Sequence, residues 1–207
     1  MLQFSQVKKH YNGQQILLIP ALDLANGVYW LQGVNGSGKT TLLRMIAGLI
    51  PFEGDIFFEG ISLHHKPLDY RRKLSWAEAE PLYPAFITGV ELITFYQDVR
   101  KATAQQIGRL TAFFGMQPWL TTPIGSYSSG MVKRLSLLLA FIGDPALILL
   151  DEPLATLDAE AALLLPGLIK EYHQDRGTGF IFSSHHSFNS GSLDMQKKLL
   201  ITGKTIQ

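Results

Sequence analysis

The octapeptide Gly33-Val34-Asn35-Gly36-Ser37-Gly38-Lys39-Thr40 constrains this chain more than any other stretch. Its GxxxxGK[ST] spacing belongs to a loop whose successive backbone N–H groups turn inward around a nucleotide's phosphates. In such a loop Lys39 reaches the β- and γ-phosphates, and the Thr40 hydroxyl takes a Mg²⁺ ligand position. The flanks agree with that reading. Val28-Tyr29-Trp30-Leu31 reads as a buried strand entering the loop, and Thr41-Leu42-Leu43-Arg44-Met45-Ile46-Ala47-Gly48 reads as a helix leaving it. The helix N-terminus then adds its dipole to anion binding.

The rest of the pattern supplies a sheet to hold that loop. Residues 2–7 and 16–24 alternate apolar and polar on either side of Asn12-Gly13, which predicts a hairpin. A second turn at Asn26-Gly27 leads into the strand before the loop. Glu53-Gly54-Asp55-Ile56-Phe57-Phe58 predicts another strand, with its turn at Glu59-Gly60. The sequence is polar from about Leu63, and Leu74-Ser75-Trp76-Ala77 gives a short strand followed by loop as far as Pro84. Between 88 and 142 no strand pattern recurs. Apolar residues there fall at helical spacing, as in Val90, Ile93 and Tyr96, then Ile107, Leu110 and Phe114. Residues 146–150 form a nearly continuous apolar run, which suits a strand buried on both faces of a parallel sheet. A helix over 159–172 containing Pro166, a buried strand at Phe180-Ile181-Phe182-Ser183 and a closing hairpin over 198–206 complete the chain. Strands alternating with helices predict an α/β fold. It comprises a phosphate-loop core with a mixed or parallel sheet, an N-terminal antiparallel β subdomain and an inserted helical lobe. One domain is expected, with 1–83 and 143–207 as the nucleotide-binding core lobe and 84–142 as the inserted lobe.

Composition narrows the function. Eighteen basic residues against 17 acidic ones leave a net charge of +1, without a local Lys/Arg block, so no nucleic-acid partner is expected. The absence of Cys removes disulfides, Cys-based zinc sites and thiol catalysis, and suits a reducing compartment. The N-terminus alternates like a strand and lacks the apolar core of a signal peptide. The longest apolar run, 135–142, is far shorter than the ~20 residues of a membrane helix. A cytoplasmic protein is expected, and any membrane crossing falls to another chain.

Asp151-Glu152 stands at the carboxyl end of a buried strand, where ligands of open α/β sheets collect. Asp151 would hold Mg²⁺ directly or through water, and Glu152 would polarise the water that attacks the γ-phosphate. Alone, such a pair is an ordinary solvated turn. The phosphate loop gives it chemistry.

Taken together, these residues resemble the nucleotide-binding subunit of an ATP-binding cassette (ABC) transporter, with a P-loop NTPase core, over nearly the whole chain. The phosphate loop matches at Gly33 through Thr41, including Asn35, Gly36, Ser37, Gly38, Lys39 and Thr40, and the strand end matches at Asp151 and Glu152. Tyr11 falls where the family stacks an aromatic residue on adenine. The family's Leu-Ser-Gly-Gly-Gln signature is similar to Tyr127-Ser128-Ser129-Gly130-Met131, with Ser129 for a glycine and Met131 for the glutamine. Leu157-Asp158 matches the loop after the catalytic glutamate. His185, adjacent to His186, matches the switch histidine that follows a late strand. The loop that carries a Mg²⁺-binding glutamine in the family reads Trp76-Ala77-Glu78-Ala79-Glu80-Pro81 here. Register leaves Ala79 or Glu80 in the glutamine's place, and a carboxylate at Glu80 suits a hard cation.

The resemblance implies an ATPase requiring ATP and Mg²⁺. Ser128 and Gly130 would contact the γ-phosphate held by a second cassette chain, identical or different, so that ATP joins two chains. A separate transmembrane permease subunit would bring the protein to the inner face of the membrane. The short chain resembles small exporter-type subunits. The alternative is a soluble cassette ATPase of macromolecular assembly or repair without a transporter partner, a class that usually joins two cassettes or carries coiled coils or basic tails.

Overall fold

The structure is a computed structural model and describes residues 1–184 and 196–206. Strands β1 (Leu2–Tyr11) and β2 (Gln14–Leu24) form the expected hairpin. They run right up to the turn because Asn12 and Gly13 both take positive φ, 49° and 76°, the primed geometry that matches strand twist. With β4 (Glu53–Phe58) and β5 (Ile61–Ser62) they make an antiparallel sheet in the order β2-β1-β4-β5. The second sheet contains β3 (Val28–Gln32), β6 (Leu74–Ala77), β7 (Leu147–Leu150), β8 (Gly179–Ser183), β9 (Gln196–Thr202) and β10 (Thr205–Ile206). Its order is β10-β9-β3-β8-β7-β6, parallel throughout except for the terminal β9-β10 pair. The α/β class expected from the sequence is the class observed.

The helices are α1 (Lys39–Ile46), α2 (Pro67–Arg72), α3 (Gly89–Arg100), α4 (Ala104–Phe113), α5 (Ser129–Ala140) and α6 (Ala159–Arg176). Helix α2 is absent from the sequence reading, because six mostly polar residues carry no periodicity. Pro67 starts it, and Tyr70 is its buried anchor.

Period-two alternation in the six-stranded sheet sends its side chains into two cores. Val28, Trp30, Ile148, Leu150, Phe180 and Phe182 pack with Leu135, Leu137 and Leu138 of α5 and with Phe114, Phe141 and Tyr172. Tyr29, Leu31, Leu149 and Ile181 point the other way, onto Leu42, Leu43 and Ile46 of α1, which Phe4, Val7, Ile19 and Ile56 of the antiparallel sheet cover in turn. Each such buried side chain is worth roughly 1.5–3 kcal/mol of apolar transfer. Packing on both sides holds the central strands firmly, and their carboxyl ends carry the site.

Candidate nucleotide site

Between β3 and α1 the chain closes the loop that its spacing predicts. Gly38 precedes α1 with φ 104°, and a Cβ on Gly33 would lie 2.4 Å from Ser37 Oγ, so the tight loop needs glycine at both places. Lys39 is buried at the first turn, and its Nζ donates to Gly33 O at 2.9 Å and Val34 O at 3.3 Å. The loop's own carbonyls therefore hold the ammonium over the loop. A cleft of about 430 Å³ opens there, lined by Tyr11, Ile16, Asn35, Gly36, Gly38, Lys39, Thr40, Thr41 and Glu152. The fold thus gathers six of the predicted loop residues, the predicted adenine platform and the predicted base around one space. Tyr11 is 45 % exposed, with Lys9 Nζ 4.5 Å from its ring centre.

Asp151 and Glu152 follow β7. Asp151 is 1 % exposed; its Oδ1 accepts from Ser183 Oγ at 2.6 Å, while Oδ2 is buried without a hydrogen-bond partner among the described residues. A buried carboxylate oxygen without a donor is costly unless a cation meets it, and the oxygen donor set here suits Mg²⁺. Thr40 and Asp151 would hold that ion. Among the described residues no group of three His, Cys, Asp or Glu could hold a metal ion. Ser183 also accepts the Glu152 backbone N–H at 2.9 Å, so one hydroxyl orients both acidic residues. Glu152 sits at φ 44°, a left-handed conformation that costs a non-glycine residue about 1–3 kcal/mol and tends to persist where function requires it.

Helix α5 begins at Ser128, whose hydroxyl accepts from Met131 N at 3.2 Å as its N-cap. A Cβ on Gly130 would lie 3.0 Å from Thr156 O, so glycine there lets the loop after Glu152 come close. Asp158 caps α6 through Ala161 N at 3.0 Å and pairs with Arg134 of α5. Neither Ser128 nor Gly130 is among the residues that line the phosphate cleft, and Asp158 is not either. His185 lies outside the described residues.

Strand register changes the picture of the loop after β6. Ala77 pairs with Leu150, so the next residues, Glu78 and Asp151, leave the sheet side by side. Glu78 is half-buried, accepts from Trp76 Nε1 at 3.1 Å and lies 4.0 Å from Arg44 of α1. Glu80, the carboxylate singled out from the sequence, is exposed two residues farther along. Sequence reasoning missed Glu78, Ser183 and Lys133 as parts of this site. Lys133, 1 % exposed, donates to Glu78 O, Ala79 O and Asp151 O. Burial pushes its ammonium down to about 8, opposed by attraction to Asp151, Glu152 and Glu78.

Residues 22–155 match the family described as "ABC transporter". The spermidine/putrescine import ATP-binding protein PotA of Fusobacterium nucleatum is 30 % identical over 97 % of this chain, which spans 55 % of that protein. The cytochrome c biogenesis ATP-binding export protein CcmA of Legionella pneumophila (strain Lens) is 30 % identical over 95 % of this chain and 98 % of its own length. Among solved structures, an ATP-binding subunit of an ABC transporter superposes with a TM-score of 0.88 at 22 % identity, covering 99 % of this chain and 87 % of that one. A dimeric ATP-binding cassette in a post-hydrolysis state, bound to ADP and Pi, gives 0.85 at 17 % identity, covering 100 % of this chain and 97 % of that one. These two structures support the fold. No helix among the described residues is long and apolar enough to cross a membrane. With the phosphate loop, the Asp-Glu strand end and the family match falling on the same residues, this chain belongs to the ABC transporter family, as its ATP-binding domain.

Proposed function

We propose that this chain is the ATP-hydrolysing subunit of an ABC transporter: it closes with a second cassette chain around ATP and Mg²⁺ and drives a separate transmembrane permease. The carrying observation is the shared cleft, where Lys39, Thr40 and Glu152 face one space beside the undonated oxygen of Asp151. In this reading the loop N–H groups and Lys39 bind the phosphates, Thr40 and Asp151 hold the metal, and Glu152 takes the proton of the attacking water. The metal, when bound, neutralises charge on the transferring phosphoryl group. Tyr11 supports the adenine, and His185 is the proposed switch histidine on sequence grounds. Ser128 and Gly130 stand outside the cleft, which supports their service to the second chain's γ-phosphate. The core lobe of 1–83 and 143–207 would carry the nucleotide, and the lobe of 84–142 would present the signature.

The names of relatives such as PotA and CcmA support a transporter partner over a free assembly or repair ATPase, and with it the reading of a cytoplasmic protein held at the inner face of the membrane through that partner. Near-complete overlap with CcmA supports the small exporter-type reading. The test is Glu152→Gln, nearly isosteric but unable to act as a base. It should keep trinitrophenyl-ATP binding, lose turnover, and accumulate as an ATP-bound dimer in size-exclusion chromatography with light scattering. Retained turnover would refute the assignment of Glu152.

A further inference from the structure

Lys133 is a buried cation to which the reaction assigns no part. Its Nζ has three donors and three acceptors, all backbone carbonyls: Glu78 O at 2.6 Å, Asp151 O at 2.8 Å and Ala79 O at 3.3 Å. Those carbonyls belong to two separate segments, the loop after β6 and the end of β7, and the lysine belongs to a third, α5. Five residues N-terminal to it on α5 stands Ser128, the cap of the helix and the start of the signature. Among the described residues no ion pair holds Lys133, and the geometry of the tripod fixes the three segments together.

We propose that Lys133 is a positioning residue for phosphoryl transfer, tying the Glu78–Ala79 loop and the Asp151 strand end to the helix that carries the signature. Through it, movement of the nucleotide-side carboxylates and movement of Ser128 become one event. Small displacements of groups that orient a reacting water reduce turnover steeply while leaving ground-state binding nearly untouched. The inference rests on the ATPase reading above.

The test compares Lys133→Met, which keeps the length of the stem without donors, with Lys133→Gln, which keeps two amide donors. In Lys133→Met, Tm should fall, because three carbonyls lose their buried donor, and in the fraction that remains folded kcat for MgATP should fall by about tenfold or more while KM and trinitrophenyl-ATP affinity stay near wild type. Lys133→Gln should recover part of the lost kcat. Amide hydrogen exchange should quicken at residues 78–80 in Lys133→Met. If Lys133→Met fails to fold, a fall in kcat at unchanged nucleotide affinity in Lys133→Gln carries the same conclusion. Turnover per folded molecule equal to wild type in both variants would overturn the proposal, as would parallel losses of nucleotide affinity and kcat per folded molecule, which mark a merely structural lysine. If wild type itself binds nucleotide but does not turn it over, the ATPase reading fails by that result alone. The exchange comparison then still decides the tie: unchanged exchange at 78–80 overturns it.

Discussion

The hydroxyl of Ser183 is the smallest group on which the site depends. It donates a hydrogen bond to Asp151 Oδ1 at 2.6 Å and accepts one from the Glu152 N–H at 2.9 Å, fully buried at the end of β8. Ser183→Ala strands a carboxylate oxygen and an amide at once, and leaving a buried polar group unsatisfied costs about 1–3 kcal/mol. We expect a lower midpoint in urea denaturation and a reduced kcat with a little-changed KM for ATP, since the lost contact orients Glu152 rather than binding nucleotide. A variant with wild-type kcat would show that Glu152 keeps its place without the serine. The left-handed backbone at Glu152 is the strain that this hydrogen bond helps to hold.

Helices reach the site through their ends. Asp158 illustrates this, because it caps α6 and touches Arg134 of α5, so one side chain links the first turn of one helix to the middle of another. Asp158→Ala should destabilise the fold by about 1 kcal/mol through the lost cap, with little added from an exposed ion pair. The Ala161 N–H, followed by Arg134, holds the Asp158 carboxyl below its usual range. A carboxyl lowered in the fold contributes stability that is full above its unfolded value and is lost as pH falls through the folded one. The gap between wild type and Asp158→Ala in thermal unfolding should therefore narrow below about pH 4, and a gap that widened in acid would contradict the assignment. Ser128 caps α5 by the same chemistry, so its hydroxyl is held by Met131 N and pre-set at the helix N-terminus.

At the scale of the molecule, two cores share one six-stranded sheet, and the phosphate cleft opens at the strand ends on the side of α1. The signature residues belong to the same chain yet do not line that cleft. If ATP joins two chains through Ser128, adding Ser128→Arg to Glu152→Gln should return the ATP-bound dimer to monomer in light scattering while trinitrophenyl-ATP still binds. A double variant that remains dimeric would remove Ser128 from the interface. Dimerisation equal with and without ATP would point to a static contact instead of a nucleotide-gated one.

What the sequence determined by itself is the set of features written in local chemistry. The GxxxxGKT spacing specifies the loop, Asn12-Gly13 specifies a primed hairpin turn, and the apolar run at 146–150 specifies a strand buried on both faces, because turn geometry and periodicity act over a few residues. Strand pairing acts over the whole chain, and only the tertiary structure decided its consequences. The Ala77↔Leu150 register sets Glu78 beside Asp151 and leaves Glu80 exposed, whereas the sequence pattern points to Ala79 or Glu80. The neighbouring β7 and β8 bring Ser183 to Asp151 across 32 residues of chain, and α5 brings Lys133 to Glu78 across 55. Lys133 and the strand-end Ser183 have no local pattern; their partners come from segments that meet only when the two cores close on the sheet.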